Sequence, residues 1–257
     1  MRAIILAAGR GTRISRHIGG KAKCTVPLAE GVSLIRYTVT LLRDRGIDDI
    51  VLVLGYEAGS IKEALEGLPV TYRVNPFFDV TNSIASLWFV RDLFDARQPF
   101  IIMNGDVFLS DEALGLVLAE RRSPVLFYDT TRREDADYRF FCSGDRLLKY
   151  GKDLSLEETS GEYVGCAVFS GGYAAMFRER LEALIASQRH SAWWEDVLYS
   201  MSAEQAILVK DVAGAFWGEV DFVEDYERIM DYYKREVGSG AASDEGNAAP
   251  RESARHG

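Results

Sequence analysis

Hydrophobic and polar positions follow two different rhythms along this chain. Over the first half, short unbroken apolar runs alternate with amphipathic stretches. Residues 2–7 (RAIILA) are such a run and end in small residues before Gly9, the pattern of a buried strand entering a tight loop. Residues 34–45 carry Leu34, Thr38, Leu41 and Leu42 on one side, with Ser33 placed to cap the start and Gly46 just past the end, which predicts a helix. Strands at 50–54, 70–74 and 100–103 and helices at 59–66 and 82–94 continue the series. Such alternation predicts a largely parallel sheet covered on both faces.

Beyond residue 123 the rhythm changes. Short apolar pieces at 124–128, 138–142, 146–150 and 163–170, separated by polar turns, predict an antiparallel addition to the main sheet. Helices follow at 172–187 and 193–201, then strands at 206–212 and 215–220. A helix from 222 to 235 closes the series, with Phe222, Tyr226, Ile229, Met230 and Tyr233 as its apolar stripe. Residues 238–257 contain no large apolar residue and read as a disordered tail.

Composition narrows the class. The 257 residues are 47% hydrophobic and 27% charged, enough for a sizeable core, which excludes a disordered or fibrous protein. No apolar run approaches the roughly 20 residues of a membrane-spanning helix, and the first residues lead straight into a strand instead of a signal peptide, so a cytoplasmic location without membrane insertion is expected. Cys24, Cys142 and Cys166 lie far apart without CxxC spacing and indicate neither a disulfide framework nor a zinc site. A net charge of −9 argues against a nucleic-acid partner. That total hides an asymmetry: Arg2, Arg10, Arg13, Arg16, Lys21 and Lys23 make residues 1–29 a +6 island without a single acid, leaving −15 for the rest. The island suits a small anionic ligand or a local ion-pair surface.

Three groups of residues carry candidate chemistry. Leu6-Ala7-Ala8-Gly9-Arg10-Gly11-Thr12-Arg13 places small residues where a strand ends, so consecutive backbone N–H groups can face phosphate oxygens while Arg13 and Lys23 add charge; an ordinary glycine-rich turn is the plainer alternative. Asp106 and Asp221 each follow a strand and can face one crevice as hard oxygen ligands for Mg²⁺. Against this, Asn104-Gly105 is also a hairpin-turn signal, and Asp221 with Glu224 is also a capping box. In the third group, Trp194 falls on the core stripe of its helix, whereas Trp193 and Asp196 fall off it and can meet a substituted ammonium, or simply form a solvated helix start. Cys24 has no histidine at a triad position, which argues against a nucleophilic role.

LAAGRGTR followed by Lys23 resembles the signature LAAGxGxR(x)nPK of the nucleotide-sugar-pyrophosphorylase-like nucleotidyltransferases, with Ala22 in place of the proline. Gly55-Tyr56, Asn104-Gly105-Asp106 and Trp217-Gly218-Glu219-Val220-Asp221 stand at the family's other stations, so the resemblance spans about residues 1–235. Asn82 with Ser86-Leu87-Trp88, Gly151-Lys152-Asp153-Leu154 and Gly161-Glu162-Tyr163-Val164-Gly165 are most similar to the small cytidylyltransferases that act on phosphocholine or 2-aminoethylphosphonate.

The resemblance implies an α/β fold, a Rossmann-like mostly parallel mixed sheet flanked by helices with a small antiparallel insertion. It also implies one domain over 1–237, with a nucleotide part at about 1–122 and an acceptor part at about 123–220. CTP as co-substrate would be held by Leu6, Ala7, Ala8, Gly9, Gly11, Thr12, Arg13 and Lys23, and its nucleoside by Tyr56, Asn82, Ser86 and Gly105. Lys23, Arg13 and Asp106 are the expected catalytic residues. Mg²⁺ is expected on Asp106 and Asp221, with Glu219 a weaker candidate. The acceptor is expected against Lys152, Glu162, Gly165, Trp193, Glu195 and Asp196, with Asp129, Asp135 and Asp137 as further acids. The partners implied are small molecules and, at most, a second copy of the chain. A sugar-1-phosphate nucleotidyltransferase, a nucleotide-sugar glycosyltransferase and a non-catalytic nucleotide-binding regulatory subunit are the alternatives.

Overall fold

Residues 1–11, 19–95 and 97–238 are described by the computed structural model. Thr12, Arg13 and all but the first residue of the expected tail lie outside them. The first apolar run is strand β1 (Arg2–Ala7), buried from Ala3 onward. Side chains alternate faces along a strand, and here both faces are covered: Ala3, Ile5 and Ala7 enter one core, Ile4 and Leu6 the other. An uninterrupted apolar run is therefore what the position requires.

A short ribbon of β2 (Pro27–Ala29) and β3 (Val32–Ser33) leads into α1 (Leu34–Asp44), whose start is capped as expected: the Ser33 hydroxyl accepts from Arg36 N–H. Then come β4 (Asp49–Leu54), α2 (Ala58–Ala64), β5 (Thr71–Val74), α3 (Ser83–Trp88) and β6 (Phe100–Asn104). Strands β4 and β6 flank β1 and β5 lies outside β4, all parallel. One face of this half packs on α1 and on α4 (Asp111–Ala119), the other on α3 and α5 (Ala174–Ala186).

The other half is antiparallel where the sequence predicts it. β11 (Gly161–Phe169), fully buried, runs antiparallel to both β6 and β8 (Val125–Asp129). Beyond β8 lie β12 (Leu208–Asp211), parallel to β8, and the antiparallel hairpin of β9 (Arg139–Ser143) and β10 (Arg146–Gly151), giving the order β5-β4-β1-β6-β11-β8-β12-β10-β9 among the described residues.

Four elements depart from the sequence expectation. The helix expected over 82–94 stops at Trp88, whose carbonyl is taken by the Arg91 guanidinium, and resumes as a single turn at Arg91–Leu93. The helix expected over 193–201 shrinks to α6 (Asp196–Tyr199), because the backbone bonds on either side of it span three residues, as in turns: Asp196 N–H to the Trp193 carbonyl and Met201 N–H to the Leu198 carbonyl. The strand expected over 215–220 is β13 (Trp217–Glu219), which leaves the main sheet to pair with β7 (Val107–Leu109). That pairing and α4 were not anticipated, although Ser110 is a normal cap for α4, accepting from Ala113 N–H. The final helix is α7 (Val223–Tyr232). No helix among the described residues is long and apolar enough to cross a membrane.

Candidate active site

The carboxyl ends of parallel strands open onto a crevice, and β1 and β6 end side by side here, with Leu6 opposite Asn104. Gly105 N–H donates to the Leu6 carbonyl at 2.8 Å, so the chain leaving β6 is pinned against the loop leaving β1 and Asp106 stands directly over that loop. A Cβ on Gly105 would sit 2.9 Å from the Leu6 carbonyl oxygen, which explains the glycine by close approach. The Asn104 side chain, for its part, accepts from the Trp194 indole N–H at 3.0 Å. Asn104-Gly105 is thus a site element and no free-standing hairpin.

Lys23 reaches the same place from the other side. Its ammonium is 3.2 Å from Asp106 Oδ2 and also hydrogen-bonds Asp221. Burial by itself would lower its pKa, but Asp106 and Asp221 outweigh burial and raise it, so the group stays charged. Gly11 has φ +59°, and a Cβ there would lie 2.1 Å from Lys23 Cγ; only glycine leaves the lysine stem its path.

The residue at the cap position of α7 is Phe222, one past Asp221. Asp225 accepts from the Phe222 N–H at 3.0 Å, and Asp221 lines the crevice. Asp106, Glu219 and Asp221 present carboxylate oxygens all within 4.8 Å of one another. Burial and the two neighbouring aspartates push the Glu219 carboxyl well above its usual range. A hard divalent cation accepts oxygen donors and would relieve that repulsion, so the donor set fits Mg²⁺, with Glu219 a full member.

All of this lines a single open cavity of about 340 Å³. One wall is the backbone of Leu6 to Gly9 with Gly11. A second is uncharged: Phe78, Thr81, Asn82, Ser83 and Ser86. A third carries Trp193, Tyr138, Asp137, Lys152 and Glu195. Trp193 is 39% exposed, with its ring 5.3 Å from that of Tyr138, while Trp194 is fully buried as its stripe position predicts. Lys152 pairs with Asp137 at 2.6 Å and lies 5.8 Å from the Trp193 ring centroid. Burial raises the Glu195 carboxyl to about 8. Burial, with Asp106 nearby, raises the Cys24 thiol to about 12, which removes it as a nucleophile at neutral pH.

Other expected site residues are placed elsewhere. Glu162 is buried outside the cavity, paired with Arg132 at 2.7 Å and accepting from Asp137 N–H, so it organises the wall behind Asp137. Gly165 also lies behind the lining; its φ of +85° and the Val107 methyl 2.8 Å from a would-be Cβ give it a packing role. Asp196 is occupied by the Trp193 N–H. Tyr56 donates to the Gly20 carbonyl at 2.6 Å and braces the loop from outside. Asp129 accepts from the Trp217 indole and from Thr131, a buried structural use. Sequence reasoning missed Phe78, Thr81, Ser83 and Tyr138. They sit on irregular or short elements with no periodicity; the only available signal was the proximity of Phe78 and Thr81 to Asn82.

A family model, the MobA-like NTP transferase domain, matches residues 3–204. The choline-phosphate cytidylyltransferase of Streptococcus pneumoniae is 26% identical over 247 residues, covering 92% of this chain and 100% of that protein. The CMP-5'-(3-aminopropyl)phosphonate synthase of Streptomyces rubellomurinus is 26% identical over 234 residues, 86% of this chain but 37% of that longer protein. Among solved structures, the inositol-1-phosphate CTP transferase from T. maritima superposes with a TM-score of 0.74 at 21% identity, over 92% of this chain and 97% of that one. Its agreement is one of fold: the same α/β arrangement. The chain belongs to the MobA-like NTP transferase domain family.

Proposed function

We propose that this protein is a cytidylyltransferase: an oxygen of a small phosphorylated or phosphonate acceptor bearing an amine attacks the α-phosphorus of CTP, pyrophosphate leaves, and a CDP- or CMP-linked product forms. The observation that carries the reading is the meeting of Lys23, Asp106, Glu219 and Asp221 at the end of the glycine loop, in the cavity that also holds Trp193 and Glu195. Relatives named for phosphocholine and an aminoalkylphosphonate support the acceptor class.

The acceptor oxygen is already ionised, so no general base is required, and catalysis rests on positioning and charge neutralisation. The backbone of Ala8 to Gly11 faces the triphosphate, and Lys23 supplies positive charge to its α-phosphate oxygens. Arg13, assigned from the sequence motif, holds the departing pyrophosphate. Mg²⁺, held by Asp106 and Asp221 with Glu219, would neutralise phosphate charge when bound. Trp193 and Tyr138 offer aromatic faces to a substituted ammonium, and Glu195 an adjacent carboxyl. Lys152, freed from Asp137, meets the acceptor's phosphoryl group.

The test is pyrophosphate release from four nucleoside triphosphates, each paired with phosphocholine, phosphoethanolamine, 2-aminoethylphosphonate, 2-hydroxyethylphosphonate and several sugar-1-phosphates, with and without Mg²⁺. Turnover with CTP and an amine-bearing acceptor is expected. Turnover confined to sugar-1-phosphates would overturn the acceptor class, and no turnover with CTP would overturn the proposal.

A further inference from the structure

Behind the uncharged wall lies a polar side chain that the site's chemistry has not yet used. Asn75 is 1% exposed and sits just past β5, its N–H donating to the Leu54 carbonyl. Its amide orientation is dictated by its surroundings. Oδ1 accepts from Phe77 N–H at 2.9 Å, so the amide nitrogen points the other way, 3.1 Å from Ser86 Oγ and 3.2 Å from Thr81 Oγ1.

An amide NH₂ only donates, and this polarity propagates. Thr81 accepts from Asn75 and passes its own hydrogen to the Phe77 carbonyl at 2.7 Å. Ser86 also accepts from Asn75, yet among the described residues its hydroxyl donates to nothing, and its residue lines the cavity. The Ser86 hydrogen is therefore left for a ligand. We infer that Asn75, which offers Ser86 no acceptor, leaves the Ser86 hydroxyl to donate into the cavity and so makes the pocket favour cytosine over uracil. The two bases differ on their Watson–Crick edge at N3, an acceptor in cytosine and an N–H donor in uracil, and at position 4. Cytosine N3 satisfies the hydroxyl hydrogen, whereas uracil N3–H meets only the remaining lone pair and strands that hydrogen; O2 is an acceptor in both.

The inference deepens the cytidylyltransferase reading and rests on it for the orientation of the base. The uncharged stretch is the one suited to a nucleobase, since Lys23, Lys152 and the carboxylates elsewhere in the lining carry the charge. Asn75 would act through Ser86, as a positioning residue, and its replacement by aspartate makes a sharp probe. An ionised carboxylate keeps the bond from Phe77 N–H but only accepts. Ser86 must then donate backwards and turn a lone pair to the cavity, which suits uracil N3–H.

Calorimetric titration of CTP and of UTP, with Mg²⁺ at pH 8.5, into wild type, Ser86→Ala and Asn75→Asp reads this directly, with thermal melts reporting the fold. Wild type is expected to prefer CTP. Ser86→Ala should lose about tenfold in CTP affinity with UTP nearly unchanged, the worth of one neutral hydrogen bond. Asn75→Asp should narrow or reverse the preference. Equal weakening of both nucleotides in Ser86→Ala overturns the relay, as does an unchanged ratio in a folded Asn75→Asp; should that variant not fold, the Ser86→Ala ratio decides. Wild type binding CTP and UTP equally overturns the relay while leaving nucleotidyl transfer intact; wild type binding neither overturns both.

Discussion

The parallel and antiparallel halves of the sheet serve the same cavity by different means. The parallel half contributes backbone together with an uncharged set of side chains: the ends of β1 and β6 are locked by register, the loop from Ala8 to Gly11 presents main-chain groups and one threaded lysine, and Phe78, Thr81, Asn82, Ser83 and Ser86 follow β5. Segments around the antiparallel half contribute side chains: Asp137 and Tyr138 before β9, Lys152 after β10, Trp193 and Glu195 before α6. Backbone geometry set by strand register tolerates little change, whereas side chains on connecting segments can be exchanged without disturbing the sheet. One scaffold can thereby keep a fixed reaction and vary its acceptor.

The widest separation of the two halves comes from the charged cluster. Lys23→Ala and Asp106→Ala should each lose about 10²–10³-fold in turnover while still folding, with Lys23→Ala melting below wild type because it takes a cation away from Asp106, Glu219 and Asp221. Near-normal pyrophosphate release from either would remove it from the chemistry. Gly11→Ala sharpens the claim about backbone, because its Cβ would collide with Lys23; roughly tenfold or more in kcat should vanish through misplacement of a group the substitution does not alter. A variant with unchanged kcat would show that the loop has freedom to spare.

On the acceptor side, Glu195 links function to pH. Its carboxyl is raised to about 8 from an ordinary value of 4.5, so the folded state holds a proton that the unfolded state releases in between. Stability contributed by this group is intact below about 4.5 and declines as pH rises to about 8. Glu195→Gln removes that dependence, and its melting temperature should gain about 5 °C on wild type between pH 5 and pH 8. Parallel pH curves for the two proteins would place the titration elsewhere. The smallest effect is expected from Lys152→Ala, which breaks a partly exposed pair with Asp137: the acceptor's KM should rise about threefold with the KM for CTP unchanged.

Legibility in the sequence followed the same division. The runs that became β1, β4 and β6, the capped helix α1 and the antiparallel pieces could be read, since burial on both faces, capping and alternation leave local signatures. The pairing of β13 with β7 could not be, because short strands acquire their partners only through chain crossings. At the site, the loop, Lys23, Asp106 and Asp221 were readable from spacing and family resemblance. Glu162, Gly165 and Asp196 were misassigned to the cavity because a motif shows which residues are near one another and not which way they face. Asn75 and Phe78 went unnoticed because a lone buried amide and a half-exposed ring carry no periodic signal.

By itself, the sequence determined the alternation of elements, the cationic island at the amino terminus and the residue types able to hold a triphosphate, all of which depend on neighbours along the chain. Tertiary structure decided that Lys23, Asp106, Glu219 and Asp221 converge, that Trp193 faces the cavity while Trp194 is buried, and that the buried Asn75 amide donates to Ser86 at the cavity wall. Those outcomes turn on burial and on which donors and acceptors are already spent, and both are settled only when strands distant in sequence lie side by side.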